Sequence, residues 1–334
     1  MAVTQPVSRG VPGEERHRIP IKTLLIYLLP LLLLGIFWAE YTFLPNAQTF
    51  TKKKYLAAAF PYFVGLYLVV FGVGLFKKNF RQKLTYRSPL ISGAIGFLIL
   101  WDLVTLKMGL LPLPQFPSPG AVVAALVSDA EVLFVSLYHS LGLLFTGYFL
   151  GLLFGLPTGI LMGWFSTINY WLSPILRFIG PLPATAWIPV AMVIFPTSFV
   201  ASVFLVALAA WFPITIMTWS GISNVNKSYY EVARTLGANV RYLIFKVAIP
   251  ASLPSVFVGL FMGLGSAFAT LVVAELLGVK SGLGWYVAWA QGWAEYAKVW
   301  AALVIMAVMF SGTTSLLFRV RDRVLVWQKG IIKW

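Results

Sequence analysis

The stretch Tyr229-Tyr230-Glu231-Val232-Ala233-Arg234-Thr235-Leu236-Gly237-Ala238, followed further on by Ile249-Pro250, is a polar island in an apolar chain. Residues 228–236 suit a short helix. Ser228 is an N-cap candidate with Glu231 three residues on, as in a capping box. Gly237 supplies a C-terminal cap or sharp turn. A second segment, 239–248, runs to Pro250, which opens an apolar run. The expected product is an amphipathic helix–turn–helix lying across a membrane surface, with Glu231 and Arg234 open to a partner.

Long apolar runs lie on both sides of this island. A hydrocarbon core about 30 Å thick needs about 20 apolar residues in a helix. Runs at roughly 23–44, 56–76, 89–107, 137–164, 199–221, 253–277 and 297–318 qualify, and a shorter one at 181–196 is interrupted by Pro183 and Pro189. About eight spans make an all-α polytopic membrane protein. Composition agrees: of 334 residues 60% are hydrophobic and 10% charged, against about 25% charged in a soluble domain. The same figures exclude intrinsic disorder. The absence of cysteine excludes a disulfide scaffold, cysteine-ligated zinc, iron–sulfur clusters and thiol catalysis. Two histidines and ten acids leave little for a metal site, and none is assigned. The first run is too long to be a removable signal peptide.

The net charge of +15 invites a nucleic-acid reading. The basic residues lie instead in the gaps between apolar runs, where the positive-inside bias puts them. With both ends inside, inner segments hold 19 Lys and Arg against 6 outside. That asymmetry predicts N-in and C-in, and only Lys52, Lys53 and Lys54 run strongly against it. No nucleic-acid partner is expected. Gly147, Gly151, Gly155, Gly159 and Gly163 recur every four residues along one span. Small residues at that spacing let a second helix approach closely, within the subunit or between two copies. Pro157 in the same run predicts a kink or break, and Gly259 and Gly263 mark a second close contact.

The polar island resembles the EAA loop of permease subunits of ABC importers, with the pattern E-A-A, three residues, G, nine residues, I, one residue, L-P. Glu231, Ala233 and Gly237 match. Val247 and Ile249-Pro250 fall in place with conservative swaps, and Val232 replaces the second alanine. Residues 85–334 are similar to the nitrate/sulfonate/taurine/bicarbonate group of these permeases. The likeness is carried by Phe116-Pro117-Ser118-Pro119, Ser140, and the run Gly180-Pro181-Leu182-Pro183-Ala184-Thr185-Ala186-Trp187-Ile188-Pro189. Val273-Ala274-Glu275-Leu276-Leu277-Gly278 and Ser281-Gly282-Leu283-Gly284-Trp285 complete it.

The resemblance implies a type I ABC importer transmembrane fold, multi-pass in the bacterial inner (plasma) membrane. Its organisation would be a cytoplasmic segment at 1–22, extra membrane helices at 23–80 and a permease domain at 85–334, its coupling loop at 223–250. Three spans then precede a five-span core. The implied partners are two ATPase subunits, a second permease copy (a homodimer), an extracytoplasmic substrate-binding protein and membrane lipid. The chain has no G-x-x-x-x-G-K-[ST] loop. ATP and magnesium therefore belong to the partner ATPase, and this chain carries no cofactor, no catalytic residue and no enzymatic activity of its own. The implied cargo is a small solute, an anion such as nitrate, a sulfonate, taurine or bicarbonate. The competing class is a self-sufficient secondary transporter or channel.

The implied coupling residues are Glu231, Ala233, Arg234, Gly237 and Ala238. Irregular backbone at membrane depth is tolerated where it is buried in protein or lines a cavity, so Pro183, Ala184, Ala186, Trp187 and Pro189 are pathway candidates. Glu275 is a candidate gate or binding-protein contact, the alternative being a helix-end acid facing headgroups and water. Asp102 and Lys107 are read as an interfacial pair, and His139 as a polar residue at an outer helix end. Trp171, Trp285, Trp289, Trp293 and Trp334 suit an interfacial belt, and residues 285–296 an external amphipathic helix.

Overall fold

The structure, a computed structural model, describes residues 21–47, 55–76 and 78–327. The cytoplasmic segment expected at 1–22 lies almost wholly outside the described residues. Lys52–Lys54 and Trp334 lie outside them altogether. Helices account for the regular structure, and no strand forms among the described residues. Among the described residues seven helices are long and apolar enough to cross a membrane, or eight if one bent pair counts as a span.

The chain divides into two compact units. The first holds α1 (Ile21–Phe43), α2 (Tyr55–Phe76) and α3 (Lys78–Asp102), the last running into a π-helical turn at Leu103–Lys107. Apolar rings lock these helices: Phe37 meets Phe60 edge-on at 5.0 Å, and the Tyr67 hydroxyl donates to the Tyr27 carbonyl at 2.8 Å. Residues 85–102, read in sequence as the start of the permease domain, fall within α3 and so within this unit.

The expected Asp102–Lys107 pair does not form. Lys107 Nζ donates to the Tyr41 and Leu44 carbonyls and to Asn46 Oδ1, at 3.2, 2.8 and 2.9 Å. Three oxygens at the end of α1 satisfy the ammonium, while Asp102 is fully buried one turn back.

The second unit is built on α5 (Ala130–Trp164), α8 (Ser198–Ser223) and α11 (Ile249–Leu277), with α4 (Pro119–Ser128) leading into α5. The five glycines face α8. A Cβ added at Gly147, Gly151, Gly155, Gly159 or Gly163 would meet side-chain atoms of Val206, Ala210, Ile214, Thr218 or Ile222 within 3.0 Å. Those partners also recur every four residues. The seam therefore lies within the subunit, one glycine per turn of α5 opposite one side chain per turn of α8. Gly259 and Gly263 bring α11 against Met217 and Ile214 of the same helix, so Ile214 meets both α5 and α11. α8 is the central helix, in close contact with both. Pro157 does not break α5, which stays helical from Ala130 to Trp164.

The run at 181–196 is not a span by itself. α6 (Ser166–Ile179) stops at Gly180, and the chain turns through Pro181–Pro183 into a 3₁₀ turn, Ala184–Trp187, and then α7 (Ile188–Ile194). The two halves meet at 84°. Trp171 and Trp293 are exposed, as an interfacial belt requires, and His139 is exposed as well.

Candidate functional site

The polar island folds as a short helix and a glycine turn. α9 (Lys227–Thr235) is capped by Asn226, whose Oδ1 accepts from the Ser228 amide at 3.0 Å. Ser228 is thus the second helical residue rather than the cap, and Glu231 closes no capping box. The asparagine two positions earlier takes the role because its short carboxamide reaches the orphan amide of Ser228, the second residue of the helix. At the other end Gly237 adopts φ +82°. Its amide donates to the Arg234 carbonyl at 2.9 Å, and that of Ala238 to the Ala233 carbonyl at 3.0 Å. This paired 5→2 and 6→1 arrangement is a Schellman motif, which favours glycine at the left-handed position.

The turn leaves a mixed surface. Glu231 and Arg234 are exposed and form no ion pair among the described residues, and beside them Tyr229, Val232 and Leu236 are 58, 60 and 84% exposed. Tyr230 points the other way, its ring edge-on to Trp164 at 5.6 Å, so it pins α9 to the end of α5. Burial raises the Tyr230 pKa, keeping the hydroxyl protonated. That anchor had no sequence signal, because the two aromatics are far apart in the chain.

Behind the turn the helix restarts. Asn239 Oδ1 accepts from the Tyr242 amide at 2.9 Å and caps α10 (Val240–Tyr242). A π-helical stretch, Leu243–Ala248, then runs directly into α11. Pro250 has no amide hydrogen to donate, and its ring crowds the preceding turn, which accounts for the widened ladder before it. From Val240 to Leu277 the helix is continuous over 38 residues.

The broken pair encloses a cavity of about 430 Å³, with Gly180, Pro183, Ala184 and Thr185 on one wall and Phe212, Ser266 and Thr270 among the facing residues. Of the five pathway candidates, Pro183 and Ala184 line it. Trp187 instead packs on Ile188, Ala191, Ala201, Leu205 and Ala274, and neither Ala186 nor Pro189 reaches the cavity wall. Thr185, Ser266 and Thr270 supply hydroxyls that the proline pattern did not single out.

Glu275 faces neither headgroups nor water: it is 1% exposed. Ser140 Oγ lies 2.7 Å from its Oε1 and 2.9 Å from its Oε2, and the Gly284 amide donates to Oε2 at 2.8 Å. Ser140 Oγ in turn accepts from the Leu283 amide at 2.8 Å. Leu283 and Gly284 open α12 (Leu283–Gly292), the short helix expected near 285–296, and α13 (Tyr296–Val324) comes after it. Further along α12 the Tyr286 hydroxyl donates to Asp129 Oδ2 at 2.9 Å, and Lys298 Nζ lies 3.1 Å from the same oxygen. Burial alone would raise the Asp129 pKa. Hydrogen bonds from Tyr286, Lys298 and Ser128 outweigh it and hold the carboxyl below its ordinary range. Burial and the Asp129 carboxylate together push the Tyr286 hydroxyl well up.

Residues 147–325, from the first glycine of the seam to the end of α13, match the family described as the binding-protein-dependent transport system inner membrane component. The chain belongs to that family. It is an integral, multi-pass permease component of an ABC importer, in the inner membrane of bacteria. Relatives share more than the family region. An aliphatic sulfonates transport permease protein of Bacillus subtilis is 32% identical over 260 residues, covering 76% of this chain and 92% of its own. A bicarbonate transport system permease protein of Synechocystis is 29% identical over 273 residues, covering 78% and 94%. Among solved structures, the inward-facing MetNI methionine ABC transporter superposes with a TM-score of 0.53 at 20% identity, over 59% of this permease and 98% of the matched chain. At that identity the likeness shows the fold. Ser140 lies just outside the matched family region, while the turn at 227–238, the broken pair, Glu275 and α12 lie inside it.

Proposed function

We propose that two copies of this permease form the membrane path of an ATP-driven importer for a small anion of the sulfonate or bicarbonate kind. An extracytoplasmic binding protein delivers the solute, and two ATPase subunits, holding ATP and magnesium, grip α9. The observation that carries this reading is the exposed turn at 227–238, with a free acid, a free base and three uncovered apolar side chains on a rigid Schellman scaffold. Tyr229, Val232 and Leu236 are grouped beside the two charges, and a grouped apolar patch with a polar rim suits a protein partner. The positive-inside count supports a cytoplasmic place for the turn, which puts the Glu275 end of α11 outside. We take the cavity at the break as a stretch of the path within one subunit. Its lining carries hydroxyls and no charge, which fits passage better than tight binding. The relatives named for sulfonates and bicarbonate supply the class of cargo.

The test is purification from the native membrane after cross-linking, with a photoreactive group at Val232 or Leu236. Two permeases and two ATPase subunits, joined through α9, are expected. A chain recovered alone or as a bare homodimer, with uptake that survives ATP depletion but collapses with the proton gradient, would instead mark a self-sufficient transporter.

A further inference from the structure

The unit formed by α1, α2 and α3 holds a pair of buried carboxyls. Glu40 lies near the end of α1 and Asp102 closes α3; they are 6% and 0% exposed. The two side chains come within hydrogen-bond reach of each other. All four oxygens are sealed from solvent, and no group among the described residues donates to any of them. Buried acceptors without a donor are costly, and buried charges more so.

The nearest cation does not supply the missing donor. The Lys107 ammonium has three protons, and the Tyr41 and Leu44 carbonyls and Asn46 Oδ1 take all three. Lys107 therefore acts on both carboxyls only through space. Tyr41 stands near Asp102, yet its hydroxyl gives the carboxyl no hydrogen bond. α2 carries no acid or base besides its tyrosines, and residues 118–120 of the same unit carry none. Arg81, Lys83 and Arg87 lie toward the other end of α3, at least about four turns from Asp102.

Two carboxylates against one ammonium would leave a negative charge uncompensated where water does not reach. Carboxylates in contact also oppose each other's ionisation. One proton removes both difficulties: it makes one carboxyl a donor to the other, and it brings the pair and Lys107 to neutrality. A metal ion suits the place less well. Calcium takes about six to eight oxygens and magnesium keeps several waters, whereas the carbonyls beside this pair are already spent on Lys107.

We propose that Glu40 and Asp102 together bind one proton, held between the two carboxyls, and that this proton clamps α1 to α3. The site lies outside residues 147–325, which match the family, and does not depend on the reading of α9.

Infrared difference spectroscopy of the full-length permease in lipid reads the carbonyl stretch of a protonated carboxyl. That band should be present at neutral pH and lost as the pH is raised into the alkaline range. It should be missing in Glu40→Gln and in Asp102→Asn, where an amide replaces the proton as donor. It should persist in Glu275→Gln, which removes the other acid buried among the described residues; that variant keeps the pair intact and tests the proposal if neither of the first two assembles. The chain lacks cysteine, so spin labels at Ile36→Cys on α1 and Leu100→Cys on α3, both exposed positions, report the clamp. Their distance distribution should be narrow at neutral pH and broaden as the band disappears, whereas Glu40→Gln should keep it narrow at both pH values. Absence of the band in Glu275→Gln, or a distribution unmoved by its loss, overturns the proposal. So does a missing band together with a distribution that narrows on addition of sodium, magnesium or calcium chloride, which would make the pair a site for a metal cation.

Discussion

Ser140 and Glu275 are 135 residues apart and meet at 2.7 Å, the hydroxyl donating to a carboxyl that no solvent reaches. A buried acceptor that loses a donor costs about 1–3 kcal/mol. Removing the hydroxyl therefore weakens the junction of α5, α11 and α12 without emptying it, because the Gly284 amide stays in place.

The turn at 227–238 makes the first prediction. Gly237→Leu forces a side chain into a left-handed conformation, which costs about 1–2 kcal/mol and tilts α9 against α10. Glu231→Ala removes an exposed acid and nothing else. Both variants should reach the membrane in normal amounts yet lose ATP-driven uptake, measured as solute accumulation in proteoliposomes. Full uptake in the double variant would contradict the coupling role.

The glycine seam supplies a controlled pair. Gly151→Ala places a methyl 2.6 Å from Ala210 Cβ and 2.7 Å from the Ala207 carbonyl, whereas Gly142→Ala meets nothing within 4 Å. The first should destabilise by about 1–3 kcal/mol through overpacking. The second should be neutral or gain up to about 1 kcal/mol of helix propensity. Thermal unfolding in detergent reads both, and equal midpoints would contradict the close approach.

The cavity separates two neighbouring alanines. Ala184 lines it and Ala186 does not. Ala184→Trp should block uptake while leaving binding-protein-stimulated ATPase measurable, and Ala186→Trp should leave uptake near normal. Two variants with the same uptake would take the path away from this cavity.

Asp129 sets a pH dependence. Its folded pKa lies below its ordinary value, so its stabilisation is complete above the unfolded value of about 3.9 and is lost as pH falls through the folded value. The midpoint gap between wild type and Asp129→Asn should stay constant around neutrality and close only in strong acid. A gap that closes near neutral pH would contradict the shift.

The membrane class, the seam and the glycine turn are legible in the sequence because each depends on local pattern: apolar run length, a four-residue repeat, and glycine at the end of a short polar helix. The cap differs by two residues since Ser228 and Asn226 offer the same chemistry, and only the backbone chooses between them. Pairings across the chain are not legible. Asp102 and Lys107 are close in sequence, but the lysine finds three oxygens at the end of α1. Glu275 stands out as an acid near a helix end, and its burial is hidden because Ser140 and Gly284 come from other elements. Trp187 stands out in the sequence for its company of prolines, and its packing against an apolar cluster built from other elements is not legible there.

The α5–α8 contact has one further consequence. Each glycine is a notch and each facing side chain a tooth, repeated once per turn. Moving one helix along the other by a fraction of a turn would drive five teeth into five ridges at once, and the next vacant setting lies four residues, about 6 Å, away. The pair behaves as a ratchet at rest, a fixed frame against which the remaining helices must do the shifting.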